Sequence, residues 1–275
     1  MLAALGGAGK PFPVPPGQRP VGARLDLGDG WWRVSSRFEE LDRRSTAIGE
    51  ISVRRRVEPT LHVDVYEVKL DDEFLMSSLF TVAEVALATL ALGEVTGDRL
   101  DVVVGGLGLG HTADAVVADP RVRSVHVVEA LGAVIEWHER ELLPLSAGLM
   151  ADPRCHLVAG DFFAMVADPS GFGPRVPDRC DAILVDIDHS PRHLLDPSHG
   201  SFYTREGLHR LAGHLRPGGV FGLWADGSPD TEFVEVLDGV FAASTAHVVT
   251  FPNFYTGGES SSTVYVATVS RGGAA

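Results

Sequence analysis

The stretch Val102–Val117, VVVGGLGLGHTADAVV, decides the fold. Val102–Val104 read as a strand buried on both faces, because three β-branched apolar residues follow one another without alternation. Glycines then stand at 105, 106, 108 and 110, where the chain must turn sharply or admit a ligand close to its main chain. HTADAVV resumes apolar positions at helical spacing. Strand, glycine turn and helix in that order present backbone N–H groups and a helix N-terminus to a nucleoside or a phosphate. Gly108-x-Gly110-x-x-Ala113 also satisfies the dinucleotide pattern, so the turn alone leaves NAD open.

Working outward, strand-like segments recur at LDVVVGG, SVHVVEA, CHLVAGD, DAILVDID and GGVFGLWA, each followed by a helical or loop segment. This alternation predicts an α/β fold with a doubly wound, mostly parallel, Rossmann-like sheet. Two further strands, near AHVVTF and STVYVATV, are joined by a loop bearing Gly and Ser and are expected to pair antiparallel. Upstream, FTVAEVALATLAL has helical spacing, and LHVDVYEVKLDDEFLMSS alternates about an Asp71-Asp72 turn. Five prolines fall between Pro11 and Pro20, too many for a helix or an inner strand. The expected organisation is a partly disordered proline-rich arm over 1–45, a β-hairpin region over 46–80 and a nucleoside-binding domain over 81–275.

Composition narrows the function classes. Against 37 acidic residues stand 23 basic ones, a formal charge of −14 that repels a phosphate backbone, so no nucleic-acid partner is expected. A cationic small molecule suits this balance. No run approaches the roughly 18 apolar residues of a membrane span, and the N-terminus lacks a signal-peptide layout; no membrane partner and a cytoplasmic location are expected. Cys155 and Cys180 each open an apolar run and read as buried thiols rather than a disulfide.

In a sheet of this kind the chemistry sits beyond the carboxyl ends of the strands. Gly106, Gly108 and Gly110 mark the first strand end. Glu129, 19 residues after Gly110, is placed to hold both ribose hydroxyls, or else is a helix-start glutamate favoured by the dipole. Asp161 is placed for an adenine amine beside an apolar wall at Phe162; an ordinary helix N-cap is its other reading. Asp186 and Asp188 end the fourth strand, and two acids brought into a cleft call for something cationic. His189, His193, Asp196 and His199 share the next loop, but their spacing fits no standard metal site and no metal is expected.

Together, VVVGGLGLG, VHVVEA, LVAGDFF, AILVDIDHSP and SFYTREGLHRLAGHLRPGGVFGLWA resemble the spermidine synthase, or polyamine aminopropyltransferase, family within the class I methyltransferase type of fold. The resemblance runs from roughly Ile48 to Ala267. It implies decarboxylated S-adenosylmethionine or S-adenosylmethionine as group donor, a small-molecule amine as acceptor, and a homodimer or homotetramer. The ribose acid then matches Glu129, the adenine-side acid Asp161 and the catalytic aspartate Asp186, with Asp188 adding field. The family's glycine-turn aspartate is replaced by Leu109, and its second strand-four acid falls at His189. Its Tyr-His-Glu helix is represented by Val82, Ala83 and Glu84, which leaves Glu84 and His189 on the acceptor side. A methyltransferase and a non-catalytic nucleoside-binding homologue are the alternatives to aminopropyl transfer.

Overall fold

Four antiparallel strands precede the glycine turn in the computed structural model, which describes residues 38–46 and 48–271. They are β1 (Phe38–Thr46), β2 (Gly49–Glu58), β3 (Val63–Leu70) and β4 (Glu73–Ser77), hydrogen-bonded in chain order. The turn between β3 and β4 falls at Asp71-Asp72, where Asp71 takes φ 51°, a left-handed conformation that aspartate tolerates. Of the arm expected over 1–45, residues 1–37 lie outside the described residues, whereas Phe38–Thr46 is a strand. The sheet therefore starts earlier than the hairpin region placed at 46–80. β1 escaped the sequence reading because FEELDRRST has almost no apolar alternation; polar contacts hold it instead. Arg55 donates to Glu39 at 2.8 Å, and the Trp137 indole N–H to Asp42 at 2.7 Å.

The chain then enters α1 (Val82–Glu94) and the second sheet. Its first strand, β5 (Leu100–Gly105), is buried at every position, as a strand covered on both faces must be. After α2 (His111–Val117) come β6 (Val122–Glu129), α3 (Gly132–Glu139), α4 (Ser146–Ala151) and β7 (Cys155–Ala159), then α5 (Phe162–Ala167) and β8 (Cys180–Val185). α6 (Arg205–Gly213), β9 (Leu215–Asp226), α7 (Thr231–Asp238), β10 (Ala243–Asn253) and β11 (Gly258–Thr268) complete the order. The sheet runs β10-β11-β9-β8-β5-β6-β7. β5 pairs in parallel with both β6 and β8, while β11 is antiparallel to β9 and β10, the hairpin expected at the end of the chain.

Two apolar cores cover the two faces. One packs Leu87, Ala91, Val116, Trp137 and Leu149 from α1–α4, the other Phe162, Val166, Leu208, Leu211 and Leu237 from α5–α7. This is the doubly wound architecture. The succession β5, β6, β7 runs to one side of β5, whereas β8 and β9 lie on the other, so the strand order reverses between β5 and β8. A crevice opens at the carboxyl ends of strands at such a reversal, and it brings the glycine turn opposite Asp186. Cys155 and Cys180 are free thiols, pushed by burial up to about 11 and about 12.

Candidate active site

A cavity of about 230 Å³ lies over this reversal, floored by Gly106–Gly110 and Asp186 and roofed by Glu84 of α1 together with Leu75–Ser77 of β4. The turn can approach Asp186 only as glycine: Gly106 takes φ 94°, and a Cβ there would stand 2.2 Å from the Asp186 carbonyl oxygen. On the β9 side, a Cβ on Gly222 would meet Leu87 and Ala91 of α1. Trp224 and Asp226, two and four residues further along the strand, therefore face the same side, and both line the cavity.

The acids in this cavity differ from those elsewhere in the fold. Burial raises Asp101, yet hydrogen bonds from Arg123 and Arg216 hold it down at about 2, and the buried Glu67 carries Arg54 and Arg56 on its two oxygens at 2.7 and 2.8 Å. Among the described residues Asp186 accepts only the Thr112 hydroxyl on its carboxylate, at 2.7 Å, and neither Glu84 nor Asp186 has a cationic partner. Burial raises Asp186. Burial first, and then the charge of Asp186, push Glu84 up to about 8. Two carboxyls so placed take up protons more readily than ordinary acids and release them when a cation arrives. His111 also lines the cavity, and burial together with His138 lowers it to about 4, so it remains a neutral imidazole.

The other expected site residues divide. His189 lines the cavity with Nε2 3.6 Å from Glu73. Glu129 is turned onto the glycine turn: it accepts Leu107 N–H at 3.0 Å and Leu131 N–H at 2.8 Å, and burial raises it. Asp161 caps α5, accepting Phe163 and Ala164 N–H on Oδ1 at 2.9 and 3.2 Å. Phe162 is not an open wall. It is a core residue, 2% exposed, whose ring lies where a Cβ on Gly105 would be; the half-buried neighbour Phe163 stacks on His199 at 4.0 Å.

Asp188 is not brought to the cavity. Wholly buried, it accepts Leu195 N–H at 2.7 Å, His199 Nδ1 at 2.9 Å and the Tyr203 hydroxyl at 2.9 Å. It is the hub that shapes the loop after β8, not a second field-bearing acid. Asp188→Asn, which substitutes an amide for one accepting oxygen, is expected to lower Tm by several degrees, in line with about 1–3 kcal/mol for a buried polar group left unmatched. An unchanged melting curve by circular dichroism would contradict the hub assignment. Among the described residues no group of three or more His, Cys, Asp or Glu is placed to hold a metal ion.

Sequence reasoning passed over Thr112 and Asp226. Asp226 carried the same signal as Asp186, an acid at the end of an apolar strand; Thr112 carried none, because a threonine in the first turn of a helix reads as ordinary.

Residues 82–257 match the family model described as the spermine/spermidine synthase domain. Polyamine aminopropyltransferase 2 of Pseudomonas aeruginosa is 28% identical over 164 residues, which are 56% of this chain and 43% of that protein. The chain thus spans less than half the length of this relative. Among solved structures, the spermidine synthase of Thermotoga maritima superposes with a TM-score of 0.63 at 18% identity, over 85% of this chain and 72% of that one. A spermidine synthase in complex with the transition-state analogue AdoDATO gives 0.65 at 19%, over 85% and 74%. At these identities the structural likeness is one of fold.

Proposed function

The chain belongs to the spermine/spermidine synthase family, and on that premise we propose that it transfers an aminopropyl group from decarboxylated S-adenosylmethionine to a small amine. One observation carries the reading: Glu84 and Asp186 share a cavity above the glycine turn with no cation beside them among the described residues, an arrangement that disfavours itself until an ammonium enters. The donor brings a sulfonium-activated carbon; the neutral amine forms the new C–N bond as the C–S pair departs on sulfur, leaving methylthioadenosine and a protonated product nitrogen.

Asp186 positions the acceptor nitrogen and takes its proton, with Thr112 fixing the carboxylate. Glu84 collects the incoming ammonium and helps it shed charge. Field alone would oppose attack, since a carboxylate favours the protonated amine; the acids assist because they accept the proton as the bond forms. On the donor side the glycine turn and Glu129 hold the nucleoside. Anchored by Leu107 and Leu131 N–H, the Glu129 carboxylate accepts the ribose hydroxyls as well. Asp161 Oδ2, free of the cap, meets the adenine amine.

Glu129→Ala is expected to weaken methylthioadenosine binding by more than about 1 kcal/mol in calorimetry; unchanged affinity would remove Glu129 from the nucleoside site. The function itself is tested by titrating the protein with decarboxylated S-adenosylmethionine, methylthioadenosine and S-adenosylmethionine. The first two are expected to bind more tightly than the third, whose carboxylate meets the acids of the cavity. The reverse ranking would move the protein to the methyltransferases, a reading to which Leu109, at the place of the family's glycine-turn aspartate, presents less of a barrier.

The same reading includes a homodimer or homotetramer joined through the N-terminal sheet, working in the cytoplasm. In support, Phe38 and Phe74 on that sheet are each 52% exposed, and among the described residues no helix is long and apolar enough to cross a membrane.

A further inference from the structure

His138, on α3, is fully buried beneath the glycine turn and does not line the cavity. Its Nε2 lies 2.9 Å from the Gly108 carbonyl oxygen and its Nδ1 3.1 Å from the Ser146 hydroxyl. A carbonyl only accepts, so the proton sits on Nε2 and the Ser146 hydroxyl donates to Nδ1. Burial lowers the tendency of His138 to take a second proton, which keeps the ring neutral. The ring also supports the turn sterically: a Cβ on Gly110 would lie 3.1 Å from its Cε1.

Glu129, from the strand before α3, holds the turn by the Leu107 N–H, while His138 holds it by the Gly108 carbonyl. In a planar trans peptide the C=O and N–H point in opposite directions. A Gly108 carbonyl directed at His138 therefore turns the Leu109 N–H the other way, toward the cavity that Gly108 and Leu109 line.

We propose that His138, backed by Ser146, is a positioning residue that sets the Gly108–Leu109 peptide so that the Leu109 N–H is presented to the nucleoside donor. The proposal rests on the functional reading above.

The test measures methylthioadenosine affinity by calorimetry, and steady-state kinetics with decarboxylated S-adenosylmethionine and an amine, for wild type, His138→Leu, His138→Gln and Ser146→Ala. His138→Leu is expected to weaken methylthioadenosine about tenfold and raise the donor KM by a similar factor, with kcat and the acceptor KM within about twofold of wild type. His138→Gln, whose amide can still donate to Gly108, is expected to recover most of the loss. Wild-type affinity in His138→Leu, or glutamine no better than leucine, overturns the proposal. Should His138→Leu fail to fold, Ser146→Ala is expected to weaken binding about threefold, and unchanged affinity there overturns it. A wild-type protein that binds no methylthioadenosine overturns the nucleoside reading itself and this proposal with it, an outcome distinct from binding that the variants leave unaltered.

Discussion

Asp186→Asn is expected to lower aminopropyl transfer by about 10²-fold or more while methylthioadenosine affinity stays close to wild type, the scale typical of losing a positioned base. Asparagine keeps the size of the side chain and an oxygen for the Thr112 hydroxyl, so the turn and α2 have no reason to move. What it removes is the charge that faces the acceptor and the lone pair that takes its proton. The cavity wall beside it includes Leu75, Met76, Ile187 and Trp224, apolar side chains that offer no alternative base. The same variant removes one of the causes that raise Glu84, so any residual activity should show its pH dependence displaced toward lower pH. Full activity in Asp186→Asn would remove Asp186 from the chemistry.

Glu84→Gln is expected to raise the acceptor KM by at least about tenfold and at the same time to make the protein more heat-stable at alkaline pH. Burial, followed by Asp186, lifts the folded-state value of Glu84 from 4.5 to about 8. A carboxyl raised in this way contributes stability that is fully present below its unfolded value and is lost as pH rises through its folded one. The Tm advantage of glutamine should therefore be absent near pH 4, grow across the interval up to about 8 and level off above it. Acceptor affinity in the wild type should climb over the same interval, because an ammonium that enters at neutral pH must displace the proton that burial keeps on Glu84. Gains in stability from deleting a strained functional charge are a familiar exchange. A Tm difference that does not vary with pH would show that Glu84 is not raised.

The sequence made the centre of this fold legible and its margins less so. Val102–Val104, the glycines and HTADAVV specify strand, turn and helix by strong local rules that tertiary packing reinforces. The strand-end rule then pointed to Asp186, which lines the cavity, and to Glu129, which accepts the Leu107 N–H of the glycine turn. It failed two residues later. Continued alternation would put Asp188 on the face of Asp186, but β8 ends at Val185. The donors that draw Asp188 into the opposite core, Leu195, His199 and Tyr203, come from further along the chain. Phe162 and Phe163 exchange the expected roles by a single residue, because Asp161 is the cap and the helix phase that follows sends Phe162 under Gly105. β1 was hidden for a different reason: its order comes from cross-strand ion pairs and from Trp137, and a charged strand carries no hydrophobic period.

The central claim is most directly tested by incubating the purified protein with decarboxylated S-adenosylmethionine and, in turn, putrescine, longer diamines and spermidine, with products followed by mass spectrometry. The account predicts methylthioadenosine and an aminopropylated amine appearing one for one with at least one of these acceptors, and their loss in Asp186→Asn. No product from the decarboxylated donor, together with a methylated acceptor formed from S-adenosylmethionine, would contradict it.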